Sequence, residues 1–562
     1  MPILLGGKPL DGGKAGKIGL VDRVAGAPFL LDAAREVLAQ LIKDGGSRRG
    51  LRSRPKPLMQ KLLDGMLKSL VYSGARKEVM RTTKGRMPAP LALIDLVNAT
   101  LGSDNAVGYE AEAKTFARLA LTRESKALVG LFFASEAVKK DGGKPRGPAL
   151  ERPAVLGAGV MGGGIAWLFA RKSLNVRVKD LNLEAVAKAY KTADDYNRQL
   201  LKRRRMRDHE ARQVLAHIGG VTDWSGFSRC DVVVEAVVEN LEIKRKVLGE
   251  TETYVDDACI LATNTSSLRV SDLARGLRRP QRFVGMHFFN PVNRMPLVEV
   301  VAGPDSDEDA VARVADLARR CGKTAVVVKD CPGFLVNRIL LPYLNEAGTL
   351  LQEGGDLAAI DRTIEAYGLP MGPFRLADEV GIDVGHKVAK ILHEGYGERM
   401  PVAAIITHVH EELKLLGTKG GVGFYQHQGK KVTVNGAIAG AVQAVQQKLG
   451  LSPRLVAEDE VRARCLLIMV NEAARCIDEG ICANPAILDL AMVMGTGWPP
   501  EKGGPLRHAD TLGITVVVDQ LKRLADSVGP RFAPAPLLVR MREKSLTFHG
   551  SDLAAIIAQP KG

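Results

Sequence analysis

Ala154-Val155-Leu156-Gly157-Ala158-Gly159-Val160-Met161-Gly162 is a short apolar run that breaks into a G-x-G-x-x-G turn and opens a helix. That order, strand then glycine turn then helix, is the context in which the motif reads as a dinucleotide fingerprint. Gly157 permits the tight turn, Gly159 lets the backbone approach a pyrophosphate, and Gly162 lets the helix pack on the strand. The helix N-terminus then offers free N–H groups and a positive dipole to the phosphates. The next β-branched run, Val176-Arg177-Val178, ends at Asp180, eighteen positions after Gly162. An acid about twenty residues on accepts from the adenosine ribose and repels a 2′-phosphate, so NAD is expected over NADP.

Outward from the motif, short β-branched runs alternate with helical stretches from 149 to 329: PAVLGAG, NVRVKD, DVVVEAVVEN, ACILATNTSS, RFVGMHFFNP and TAVVVKD. This rhythm predicts an α/β domain built on a Rossmann-type, doubly wound parallel sheet. Residues 330–430 and 455–545 turn helical and read as two copies of one all-helical domain, joined by a polar connector near 426–453. Both carry an early Asn-Glu (Asn345-Glu346, Asn471-Glu472), a Pro/Gly-rich centre and a closing Asp-x-x-Gly-Ile. Matched polar and Gly/Pro positions favour duplication over chance. Residues 1–50 and 51–148 precede the sheet, the latter ending in the Gly/Pro/Lys-rich DGGKPRGP.

The 562 residues leave room for three or four domains, since single cores seldom exceed about 250 residues. Seven scattered cysteines without a C-x-x-C pair argue against a disulfide framework or a zinc site, so no metal is expected. No apolar run is long enough for a membrane span, and a cytoplasmic protein is expected. The net charge is +16, and its densest run is Lys202-Arg203-Arg204-Arg205 with Arg207. Without interleaved aromatics the run does not point to nucleic acid. A solvated helix face or an anionic small molecule such as coenzyme A fits it.

Gly285-Met286-His287-Phe288-Phe289-Asn290-Pro291 puts a histidine at the end of an apolar strand, where doubly wound sheets bind their ligands. Oxidising an alcohol needs a base for the hydroxyl proton, and a neutral imidazole suits that task. Glu299, in the following Pro296-Leu297-Val298-Glu299-Val300, is placed to fix the tautomer of His287 and to stabilise the imidazolium.

The stretches VLGAGVMGGGIA, VVVEAVVENLEIKRKV, NTSS, VGMHFFNPVNRMPLVEV and KDCPGFLVNRIL closely resemble successive motifs of the 3-hydroxyacyl-CoA dehydrogenase family, over about 152–340 and, with the helical copies, to about 545. The resemblance implies His287 as general base towards the 3-hydroxyl of an (S)-3-hydroxyacyl-CoA, with Glu299 orienting it and NAD accepting the hydride. It implies Ser266 and Asn337 on the substrate oxygens, Asn290 near the nicotinamide, and Glu239 and Lys244 lining the cofactor pocket. The family's coenzyme A lysine falls in register on Arg203, which keeps the charge. The segment GKIGLVDRVAGAPFLLDAAREVLAQL is similar to the closing part of a crotonase-type hydratase, and 86–140 to the helical link of multifunctional enzymes. The resemblance therefore implies a fatty-acid oxidation subunit with 1–50 as a hydratase remnant, 51–148 as helical linker, and no hydratase activity. Asp11, Asp22, Asp32 and Glu36 read as helix caps or solvated charge; Leu30, Val37, Leu38 and Leu41 mark an apolar helix stripe. A homo- or hetero-oligomer, with a thiolase β subunit as one partner, is also implied. Two alternatives stand beside this reading. One is another NAD-linked β-hydroxyacid dehydrogenase; the other is a non-catalytic CoA-binding scaffold for a thiolase.

Overall fold

The short, β-branched Val232-Val233-Val234, closed by Glu235 and without polar alternation, reads as a strand buried on both faces. In the computed structural model, which describes residues 2–7, 9–45, 68–429 and 431–557, it lies at the centre of an eight-stranded sheet. The chain divides into two compact units, Met1–Lys126 and Ala127–Gly562.

The first unit is helical among its described residues, with the helices Leu30–Lys43, Lys68–Thr83, Pro88–Thr100 and Asn105–Ala120. Residues 46–67 lie outside the described residues, and with them the start of the region expected at 51–148. Asp11 caps a short helix by accepting from the Lys14 N–H. Asp32 and Glu36 are exposed and paired with Arg35 and Arg23. The expected stripe lies on the helix Leu30–Lys43, but Leu30 and Leu38 are exposed and Val37 and Leu41 are half-buried.

In the second unit the strands are β1 (Pro153–Leu156), β2 (Val176–Lys179), β3 (Ile218–Val221), β4 (Val232–Glu235), β5 (Ile260–Thr263), β6 (Phe283–Phe288), β7 (Leu297–Ala302) and β8 (Thr324–Lys329), in the order β3-β2-β1-β4-β5-β6-β7-β8. The order reverses between β1 and β4, the switch point where such sheets open a ligand crevice. Alternate residues feed two cores: Ala154, Leu156 and Val233 face one, Val155, Val232 and Val234 the other. The first core runs on without a break into both helical segments.

Three features differ from the sequence reading. The sheet is not wholly parallel: β7 runs antiparallel to β6, and β8 follows β7. β3 adds an edge strand where Gly219-Gly220 gives no β signal. A Cβ on Gly220 would stand 2.4 Å from Val186, so the glycine is needed for the helix Leu183–Lys202 to lie close. The polar connector is itself structured, as the hairpin of β9 (Tyr425–Gln428) and β10 (Lys431–Val434) followed by the helix Ala437–Leu449.

The helical segments show their duplication in paired contacts. The closing Asp378 and Asp510 accept from the backbone N–H groups of Phe424 and Tyr425, and of Phe548 and His549, respectively. Asp361 takes the N–H groups of Phe374 and Arg375 as Asp489 takes those of Leu506 and Arg507. All seven cysteines are buried and unpaired. Among the described residues no helix is long and apolar enough to cross a membrane.

Candidate active site

The turn after β1 is shaped by what a side chain would strike. Gly157 has φ +93°, and a Cβ there would lie 2.6 Å from the Ala236 carbonyl oxygen. A Cβ on Gly162 would lie 1.8 Å from the Gly157 carbonyl oxygen. Gly159, N-cap of the helix Val160–Ala170, differs because nothing stands within 4 Å of its missing Cβ. The protein's own packing does not require that glycine, whereas a pyrophosphate laid on the helix N-terminus does. Asp180 follows β2, and its carboxylate accepts from the N–H groups of Ala158 and Leu181 at 2.7 Å each. The acid is thereby fixed against the glycine turn. The ammonium of the neighbouring Lys179 lies over the Trp224 ring, 4.5 Å from its centroid. These residues fit a bound dinucleotide.

His287 and Glu299 sit directly opposite each other on the antiparallel pair β6–β7. His287 Nδ1 lies 2.7 Å from Glu299 Oε2, and both side chains are buried. The other carboxylate oxygen accepts from the N–H groups of Leu335 (3.0 Å) and Val336 (2.9 Å), at the N-terminus of the helix Val336–Gln352. A carboxylate only accepts, so Nδ1 carries the proton and Nε2 is left as the basic nitrogen. Phe289 and Phe334 flank the imidazole, with ring centroids 4.5 and 5.8 Å away.

One residue along that helix, Asn337 donates from Nδ2 to the Ser266 carbonyl oxygen at 2.9 Å. Ser266 in turn donates its N–H to Glu239 Oε1, which also accepts from the Thr265 and Ser267 hydroxyls. Burial alone would raise the Glu239 carboxyl. The Lys244 ammonium and the hydrogen bonds from Thr265 and Ser266 outweigh it and hold the group below the usual range. Lys244 is buried, its ammonium 2.7 Å from Glu235, 3.3 Å from the Val237 carbonyl oxygen and 3.4 Å from Glu239. His287, Glu299, Ser266, Asn337, Glu239 and Lys244 are thus joined through short contacts. Asn290 is exposed on the loop after β6. Arg203 is exposed at the end of the helix Leu183–Lys202, and no hydrogen bond or ion pair among the described residues brings it to the others. A separate cavity of about 510 Å³, bordered by Leu131, Phe133, Arg507 and Phe548, includes none of these residues.

Several partners escaped the sequence reading. Asn264 Oδ1 accepts from the Phe288 N–H and so holds the end of β6. Glu235 receives Lys244, the Thr263 hydroxyl and the Val237 N–H. A glutamate closing an all-valine strand was the signal available for it. Lys387, from the first helical segment, donates to the Glu239 carbonyl oxygen, and nothing local in the sequence marks it.

The family model "3-hydroxyacyl-CoA dehydrogenase, NAD binding domain" matches residues 153–331, and "3-hydroxyacyl-CoA dehydrogenase, C-terminal domain" matches twice, over 333–427 and 461–547. The chain belongs to the 3-hydroxyacyl-CoA dehydrogenase family. The family is one of NAD-dependent oxidoreductases acting on CH–OH groups, and the double C-terminal match coincides with the duplicated helical segments. The fold is shared with 3-hydroxybutyryl-CoA dehydrogenase from Escherichia coli K12, at 24% identity and TM-score 0.63, over 71% of this chain and 99% of that one. It is also similar to the dehydrogenase part of multifunctional enzyme 1 from C. elegans, at 25% identity and TM-score 0.52, over 73% of this chain and 96% of that one.

Proposed function

We propose that the protein oxidises (S)-3-hydroxyacyl-CoA to 3-oxoacyl-CoA, reversibly, as a dehydrogenase of fatty-acid β-oxidation. The observation that carries this reading is the His287–Glu299 pair, buried at 2.7 Å with both carboxylate oxygens committed as acceptors. NAD, when bound, supplies the hydride acceptor. Gly157, Gly159, Gly162 and Asp180 hold it, with Asn290 towards the nicotinamide end. His287 Nε2 takes the proton of the 3-hydroxyl, and Glu299 favours the resulting imidazolium by its charge. Ser266 and Asn337 hydrogen-bond the substrate oxygens and keep the hydroxyl within reach of Nε2. Arg203 meets the coenzyme A phosphates. The partition runs 149–329 for the dinucleotide domain, 330–430 and 455–545 for the helical copies, and 51–148 for a linker. The exposed, ion-paired or helix-capping acids of 2–45 support a reading in which that segment carries no hydration chemistry. The test is NADH absorbance with acetoacetyl-CoA. Enzyme-dependent loss of NADH is expected, and none from a preparation that binds NADH would reject the reading.

A further inference from the structure

The two helical segments exchange arginines across their shared core. Arg338, third residue of Val336–Gln352, is wholly buried; its Nε donates to Glu472 at 2.7 Å, and Nη2 lies 2.7 Å from Glu479. Its guanidinium covers the Tyr396 ring at 4.6 Å, and Arg399 stands 3.5 Å from both glutamates. The helix Glu458–Asp478 returns the same arrangement. Its wholly buried Arg464 donates from Nε to Glu346 at 2.6 Å and from Nη1 to Glu353 at 2.7 Å, with Arg531 in the place of Arg399.

The clusters match in chemistry and burial but differ in what lies beside them. Arg338 belongs to the turn whose Leu335 and Val336 N–H groups hold Glu299 and whose Asn337 holds Ser266. No hydrogen bond among the described residues joins the turn around Arg464 to the candidate site. Resting on the reading of His287 and Glu299 given above, we propose that Glu472, in the second helical segment, is a positioning residue for the dehydrogenase site, acting through Arg338 on the helix turn that holds Glu299 and Asn337. A buried guanidinium that loses one carboxylate shifts towards the other. Here that is Glu479, which caps the C-terminus of the same partner helix and is 32% exposed, so the turn is drawn outward. Displacements of about 1 Å at such distances cost on the order of 100-fold in rate.

The mirrored cluster supplies the control. Glu472→Gln and Glu346→Gln remove equivalent buried charges. Glu472→Gln should lower kcat at least about tenfold, shift the acid limb of the pH profile of kcat/KM, and leave NADH affinity at the parent level. It should also speed amide exchange in the peptide covering 333–340. Glu346→Gln should lower thermal stability to a similar extent while leaving kcat, the pH profile and exchange in 333–340 unchanged. If Glu472→Gln does not fold, Glu472→Asp and Glu346→Asp repeat the comparison with the charge retained, and smaller changes in the same direction are expected. Equal effects of the two cluster variants on kcat and on exchange in 333–340 would overturn the proposal. A parent protein without dehydrogenase activity would reject the proposed function instead, and the exchange comparison alone would then decide the positioning role.

Discussion

Replacing Glu299 by glutamine exchanges one carboxylate oxygen for an NH2 group and should remove most of the activity. One carboxylate oxygen accepts two backbone N–H groups, and the other faces His287 Nδ1. A glutamine must put its oxygen towards the paired amides, because turning its NH2 there would leave three donors face to face. The NH2 then meets Nδ1 and makes it an acceptor, which moves the imidazole proton to Nε2, the nitrogen that has to take the substrate's proton. The ring stays where it is, in the wrong tautomer. General base catalysis supplies about 10²- to 10⁴-fold, or about 3 to 5 kcal/mol of transition-state stabilisation, and nearly all of it should be lost. His287→Ala should cost the same, because either change removes the basic nitrogen. Steady-state oxidation of 3-hydroxybutyryl-CoA measures the loss, and fluorescence titration should show NADH binding at the parent level. A Glu299→Gln enzyme within a few-fold of the parent in kcat/KM would refute the tautomer argument.

Asp180→Ala should narrow the preference for NAD+ over NADP+, since it removes both the ribose acceptor and the repulsion of a 2′-phosphate; kcat/KM with each cofactor in both proteins checks it, and an unchanged ratio would exclude the role. The cysteines should resist thiol reagents in the native protein at pH 8, because burial pushes Cys230 and Cys321 up to about 11 and Cys482 to about 12; titration with a chromogenic disulfide should find seven thiols only after denaturation, and fast native labelling would contradict the burial. Burial, aided by Lys502, holds His508 down at about 4 from an ordinary 6.5. The unfolded chain therefore binds the extra proton first as pH falls, so this histidine withdraws up to about 3 kcal/mol of stability between about pH 6.5 and 4. Urea unfolding of the parent and His508→Gln at pH 7.5 and 4.5 should show a smaller acid loss in the variant; parallel losses would rule this out.

Most of the sheet was legible because parallel strands buried on both faces appear as near-continuous apolar runs, and β1, β4 and β5 are such runs. β3 was not, since its two glycines give no β signal and Gly220 serves the helix packed above it rather than the strand. The direction of β7 could have been read from chain length. Only residues 289–296 separate it from β6, fewer than a parallel crossover of a dozen or more requires. The β9–β10 hairpin is polar and half-exposed, so it carried no apolar pattern. In the site, His287 and Glu299 stood out because buried charge at strand positions is uncommon. Glu235 offered the same signal, a charge closing an apolar strand, whereas Asn264 and Lys387 did not stand out, because each acts on a partner brought near only by the folded chain. Arg203 was placed by its register with the family alone, and it lies exposed at the end of the helix Leu183–Lys202, where nothing in its local pattern marks it.

Because His287 and Glu299 face each other across one antiparallel ladder, their separation is set by hydrogen bonds between peptide groups and owes little to the connecting loop. Evolution and engineering therefore meet two very different tolerances within a few residues. Lengthening or shortening 289–296 leaves the ladder itself intact, with Phe289 beside the imidazole, Asn290 and the buried Val292 the positions at risk. A one-residue insertion inside Phe283–Phe288 or Leu297–Ala302 instead turns one of the two side chains to the opposite face of the sheet, and the pair is gone although no atom of either residue has been altered.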